Sequence, residues 1–236
     1  MNGEAKQNQD FKCSRWLQFL DESIGSQPAI DSLQEFFGYC LTTKNSPATA
    51  LLVYGPGGTG KSVAMNILGA VVGPENISNL SVGDLADPDR RAALFGKAVN
   101  FAHEGGLKAL GDQYFKAIVS GDTITVSDHA GSLLLYQPTC KLVVHTNRFP
   151  KEILLSKAIY GRVLPVAFMG QPSRPYPRLF EKLAVELPSI IRRKEKSNEQ
   201  ETESTAPQNM ADLFHGDVSP RKRVFDKDVW RIHPAG

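Results

Sequence analysis

Apolar residues along this chain fall into two kinds of run. In the first, they recur at three- and four-residue steps. Trp16, Leu17, Phe19, Leu20 and Ile24 form one such stripe over 14–24, and Ile30, Leu33, Phe36, Phe37, Cys40 and Leu41 form another. This is the spacing of amphipathic helices, and Pro28 suits the opening turn of the second. Helices are also predicted over 61–72, 87–95 and 106–119, and over 179–193 with a break at Pro188. In the second kind, the apolar run is short and continuous at 48–54, and 98–102, 141–146 and 163–168 are further candidates of this kind. Such runs read as buried parallel strands. Strands alternating with helices predict a doubly wound α/β fold, a parallel sheet with helices on both faces. Between Asp122 and Tyr136 the pattern changes. The segments ITV and LLLY flank a polar, glycine-containing stretch, which predicts an inserted β-hairpin.

The ends are different in character. Residues 1–12 are polar, and 194–210 are rich in Glu, Gln, Ser, Thr and Asn, as in a linker. A short segment with the basic run Ser219-Pro220-Arg221-Lys222-Arg223 follows. The expected organisation is an N-terminal helical segment over 1–45, a core over 46–193, and a polar linker with a basic tail over 194–236. Overall composition is ordinary for a globular chain, with 41% hydrophobic residues. The sum of 27 Lys and Arg against 25 Asp and Glu is +2, so any grip on nucleic acid is local rather than a property of the whole field. No apolar run is long enough to span a bilayer, and the first residues hold no apolar stretch typical of a secretory signal. Three scattered cysteines, Cys13, Cys40 and Cys140, form neither a disulfide framework nor a zinc spacing. A cytoplasmic protein without membrane association is the expectation.

The most informative segment is Gly55-Pro56-Gly57-Gly58-Thr59-Gly60-Lys61-Ser62. It matches G-x-x-x-x-G-K-[ST] at every fixed position, between a predicted strand and a predicted helix. Glycines let successive backbone amides turn toward phosphate oxygens. The helix start adds the positive end of its dipole. Lys61 is placed to reach the β- and γ-phosphates of a nucleotide, and Ser62 to set its hydroxyl on Mg²⁺.

Downstream residues narrow the choice among phosphate-loop proteins. The apolar run 98–102 ends in His103-Glu104, and a strand-end carboxylate opposite the loop can hold Mg²⁺ through water and polarise an attacking water. The run 141–146 ends in Asn147, a residue suited to orienting that water or, more plainly, to the turn before Pro150. Arg162 precedes the last strand; it is either a solvated cation or a finger for a neighbour's site in a ring-forming ATPase.

In order, YGPGGTGKS, AVNFAHE, KAIVSGDTITV, PTCKLVVHTNRFP and YGRVLPVAF resemble the motifs of superfamily 3 helicases, most closely the helicase part of phage- and plasmid-type primase–helicases. The likeness runs from about Leu33 to about Phe168. It implies a P-loop NTPase of the AAA+ type, hexameric rings, and ATP- and Mg²⁺-dependent movement along single-stranded DNA. On this likeness Lys61 and Ser62 belong to the Walker A motif, Glu104 is the Walker B carboxylate, Asn147 the sensor and Arg162 the arginine finger. Lys116, Gly121 and Asp122 match the motif leading into a DNA-contacting hairpin, where His129 is the best-placed residue. The family often carries Lys or Arg there, whereas this chain has Ser127-Asp128-His129-Ala130-Gly131. Two readings follow. One is an ATP-dependent DNA helicase or translocase in the replication of a phage, plasmid or other mobile element, with a separate primase or replication initiator as a further partner. The other is a nucleotide-switched, ring-forming loader or assembly ATPase that does not unwind.

Overall fold

The computed structural model describes residues 13–102, 110–128, 130–151, 153, 157–170 and 178–190. Helices α1 (Ser14–Ile24) and α2 (Gln27–Tyr39) come first, followed by β1 (Ala50–Tyr54) and α3 (Lys61–Val72). The chain continues through β2 (Ile77–Ser78), α4 (Pro88–Arg91), β3 (Val99–Ala102) and α5 (Gln113–Ser120). Then come β4 (Ile124–Ser127), β5 (Leu133–Tyr136), β6 (Lys141–Thr146), α6 (Lys157–Tyr160), β7 (Val163–Ala167) and α7 (Leu179–Ala184).

Five strands form one parallel sheet in the order β2-β3-β6-β1-β7, so β1 lies inside it, between β6 and β7. The period of two along β1 divides the interior. Leu51 and Val53 point into one apolar cluster with Trp16, Phe36 and Ile67 from α1, α2 and α3. Ala50 and Leu52 point into the other, with Phe115 and Ile118 of α5 and Val126 of the hairpin. Both faces are therefore covered, which is why the core strands are largely apolar rather than alternating. Trp16 and Phe36 are fully buried, as core packing requires.

The four predicted core strands are present, and β4 and β5 pair as the expected antiparallel hairpin. An additional edge strand, β2, was not anticipated, because two residues carry no periodicity. Asn100 anchors this edge from within β3: its side chain accepts from Ser78 Oγ at 2.9 Å and Leu80 N at 2.8 Å, and donates to the Leu80 carbonyl at 2.9 Å. The helix predicted over 87–95 is shorter. Asp87 caps α4 through the Asp89 N–H, and after Arg91 the chain tightens into a 3₁₀ turn over Ala92–Leu94. The helix predicted over 106–119 falls partly outside the described residues, and its described part begins at Gln113, capped by Asp112. The break expected at Pro188 lies before it. The chain turns at 185–186 and is helical again over 187–190, so Pro188 occupies a first turn, where no N–H is needed.

Candidate functional site

In a parallel sheet every strand ends at the same edge, and the loops leaving that edge converge. The segment 55–60 leaves β1 there and enters α3 at Lys61. Its shape depends on glycine at two points. Gly55 has φ 146°, and a β-carbon on it would lie 1.9 Å from the Phe168 carbonyl oxygen. Gly60 has φ 95° and lies against α1, where a β-carbon would meet the Phe19 ring at 2.6 Å. The outer rim is different: around Gly57 and Gly58 an added β-carbon would meet nothing within 4 Å. Thr59 Oγ1 donates to the Pro56 carbonyl at 2.9 Å, and Lys61 Nζ donates to the Gly55 and Pro56 carbonyls at 2.6 and 2.7 Å. The loop is thus closed on itself around a buried ammonium.

The neighbouring strand ends come into contact with this loop. The Gly55 N–H donates to the Thr146 carbonyl at 3.3 Å, and the Phe168 N–H to the Tyr54 carbonyl at 2.8 Å. Asn147 follows Thr146 directly and is exposed, so the structure brings it to the edge that carries Lys61 and Ser62. Ala102, the last residue of β3, stands beside Val144 of β6. Glu104 and its expected roles lie outside the described residues, as does His129.

α1 forms a wall behind the loop. Besides the Phe19 contact, the Gly170 N–H donates to the Ser23 carbonyl at 3.0 Å. Glu186 caps the start of α1 by accepting from the Arg15 and Trp16 N–H groups at 3.3 and 3.0 Å. None of these supports is legible as a motif. Phe19 and Phe168 read as ordinary apolar residues of a helix and a strand, and only the tertiary packing sets them against glycines.

Arg162 is placed elsewhere. Its carbonyl accepts from the Ala50 N–H at 2.8 Å, at the start of β1, so it stands at the opposite edge of the sheet from Gly55. Five residues of strand separate the two, about 16 Å. Its guanidinium donates from Nε to Ser120 Oγ at 3.2 Å and from Nη1 to the Ala158 carbonyl at 2.9 Å. Within one chain, therefore, Lys61, Ser62 and Asn147 gather at one edge and Arg162 does not join them.

Lys116 is half-buried on α5, the helix that leads into the hairpin. Gly121, at φ 73°, closes that helix. A β-carbon there would lie 2.2 Å from Asn45 Nδ2. The hairpin turn is organised by Asp128, whose carboxylate accepts from the Ala130 and Ser132 N–H groups, both at 2.8 Å. That acidic side chain is accounted for by turn formation. Leu133 and Leu135 of β5 are 66% and 81% exposed.

The arrangement suits an anion. The N-cap of the 12-residue α3 is Gly60, which has no side chain to occupy that end. Its first-turn N–H groups and dipole face the loop. Together with the Lys61 charge and the open space at Gly57 and Gly58, this fits a phosphate-bearing group, with the exposed Ser62 hydroxyl placed for a cation beside it. Among the described residues no group of three or more His, Cys, Asp or Glu side chains could hold a metal ion by itself. None of the described helices is long and apolar enough to cross a membrane.

Comparison with known proteins places these features in context. A family of unknown function, DUF5906, matches residues 53–158, the stretch from the end of β1 to α6. Among solved structures, the A-form apo structure of the NrS-1 C-terminal region is similar over 75% of this chain, with TM-score 0.58 and 12% identity. Another apo structure of the same region gives TM-score 0.57 and 13% identity, also over 75% of this chain. This chain spans less than half of each, 43% and 44%. At such identities the likeness is one of fold: an α/β domain with a parallel central sheet flanked by helices.

Proposed function

We propose that this chain is an ATP-driven motor acting on nucleic acid, a helicase or translocase of the superfamily 3, AAA+ type used in DNA replication. The observation that carries the reading is the position of G-x-x-x-x-G-K-[ST]. The pattern occupies the turn from an interior parallel strand into a helix whose N-cap is glycine, with Asn147 at the same edge. The motif order along the chain and the fold likeness to the NrS-1 C-terminal region support it. In this reading the 55–60 amides and Lys61 hold the phosphates of ATP, and Ser62 and Glu104 hold Mg²⁺. Asn147 orients the attacking water. Arg162, remote from its own loop, serves the site of the next copy in a ring. The hairpin contacts single-stranded DNA.

The test is ATP hydrolysis with and without single-stranded DNA, compared with Lys61→Ala. DNA-stimulated hydrolysis that the substitution abolishes supports the motor. Hydrolysis indifferent to Lys61→Ala overturns it.

One observation favours a second reading, a ring-forming loader or assembly ATPase. The hairpin from Thr123 to Tyr136 contains no Lys or Arg, and its β5 strand exposes Leu133, Leu134 and Leu135. Such a surface suits a protein partner better than a phosphate backbone. Nucleotide-dependent assembly with hydrolysis unaffected by DNA, lost in Leu133→Ser/Leu135→Ser, supports this reading.

A further inference from the structure

Arg162 and the hairpin are joined by one side-chain contact. The Arg162 backbone is held between helix and sheet: its N–H donates to the Ile159 carbonyl of α6 at 2.8 Å, and its carbonyl accepts from Ala50 of β1. Its guanidinium reaches Ser120, the last residue of α5. Immediately beyond Ser120 the chain turns into the hairpin. Gly121 donates to the Ile118 carbonyl at 3.1 Å, and Asp122 to the Ala117 carbonyl at 2.9 Å. This root is held from two other sides. Gln137 Nε2 donates to the Gly121 carbonyl at 3.1 Å, and Asn45 Nδ2 donates to the Pro138 carbonyl. Asn45, Gln137 and Arg162 therefore clamp the point where the hairpin leaves the body, and of the three only Arg162 carries a charge.

A guanidinium pairs with a phosphate through two parallel N–H groups, using either its Nε–Nη edge or its Nη–Nη edge. Here Nε is committed to Ser120 and Nη1 to Ala158. Bidentate engagement along the first edge gives up Ser120, and along the second gives up Ala158. The side-on edge is the one that frees the hairpin root.

We infer that Ser120 is a positioning residue that links a neighbouring copy's nucleotide to the hairpin: Arg162 exchanges Ser120 Oγ for a phosphate oxygen, and loss of that contact loosens the root at Gly121–Asp122. This rests on the reading of Arg162 as a finger acting between copies.

The experiment is hydrogen exchange of the full chain, followed at amides 121–136, with and without Mg²⁺ and a slowly hydrolysed ATP analogue. In the unaltered protein the nucleotide should speed exchange at the Asp122 amide about tenfold, the effect of losing one hydrogen bond to a charged group. In Ser120→Ala the exchange should already be fast without nucleotide and respond no further. Ser120→Thr, which keeps the hydroxyl, should restore the response. A root that does not respond to nucleotide, or a Ser120→Ala variant that responds like the unaltered protein, overturns the inference. The underlying reading fails separately: undiminished hydrolysis by Arg162→Ala removes the finger, whatever the exchange shows at Ser120.

Discussion

Gly55 and Phe168 approach so closely that one hydrogen on the former cannot become a methyl group. A β-carbon at Gly55 would sit 1.9 Å from the Phe168 carbonyl oxygen, while the Phe168 N–H is already bonded to Tyr54. Backbone at the end of β1 and backbone of the segment after β7 are thus in direct contact at the root of the 55–60 loop. Gly55→Ala should force them apart, lowering stability by about 2–4 kcal/mol and abolishing the proposed nucleotide binding. Gly57→Ala, where the added carbon meets open space, should leave the denaturation midpoint nearly unchanged. Denaturant unfolding alongside nucleotide titration checks both, and equal destabilisation by the two substitutions would contradict the geometry.

Arg91 is buried to 1% exposure, yet its role is to hold the hairpin. Its Nε and Nη2 donate to the Thr125 carbonyl at 2.9 and 2.7 Å, its Nη1 donates to the Leu85 carbonyl at 2.7 Å, and its guanidinium lies 3.8 Å from the Tyr114 ring centre. A lysine cannot reproduce this planar fork. Arg91→Lys should cost about 2–3 kcal/mol. It should also make the 121–136 segment the first site of protease nicking. Limited proteolysis with fragment mapping reads this directly.

Asn100 satisfies three partners inside the sheet, and its removal leaves Ser78 Oγ and both Leu80 backbone groups without their acceptor or donor. Asn100→Ala should therefore destabilise by about 2–4 kcal/mol. Asn100→Asp should also destabilise, because a carboxylate cannot donate to the Leu80 carbonyl. Thermal unfolding of the two variants tests this, and an Asn100→Asp midpoint equal to the parent's would show that the donated bond contributes nothing.

Lys141 gives a pH dependence of defined sign. Its amine, buried at the start of β6, donates to Asn45 Oδ1 at 3.1 Å and lies 4.7 Å from the Tyr39 ring centre. Burial pulls its pKa down from 10.5 to about 8. The unfolded chain then holds this proton more tightly than the folded one, so stability rises with pH between about 8 and 10.5. Burial pushes the Cys140 thiol the other way, from 9.0 up to about 12, and raises Cys40 as well. Those groups remove stability above pH 9. The expected profile climbs from pH 8 to 9 and then falls. In Lys141→Met the climb should vanish while the fall remains, as measured by denaturant midpoints across that range.

Much of the fold is written locally. The stripes in 14–24 and 27–39 specify α1 and α2, because a helix has only one face to bury. Largely apolar runs specify β1, β3, β6 and β7, because both faces of the sheet are covered. The phosphate-loop pattern is legible because its glycines and lysine stand at a fixed local spacing, although Phe168 and Phe19, which press on Gly55 and Gly60, are not legible with it. The two-residue β2 is not legible, since its existence rests on the Asn100 side chain from another strand. The same holds for the supports of the candidate site. Sequence alone determined which residues are suited to phosphate and placed them between a strand and a helix. Only the tertiary structure decided that Asn147 joins Lys61 at one sheet edge while Arg162 stands at the other, bound to Ser120. Strand order and direction are set by packing between segments more than a hundred residues apart, and no local pattern encodes which ends of two strands lie side by side.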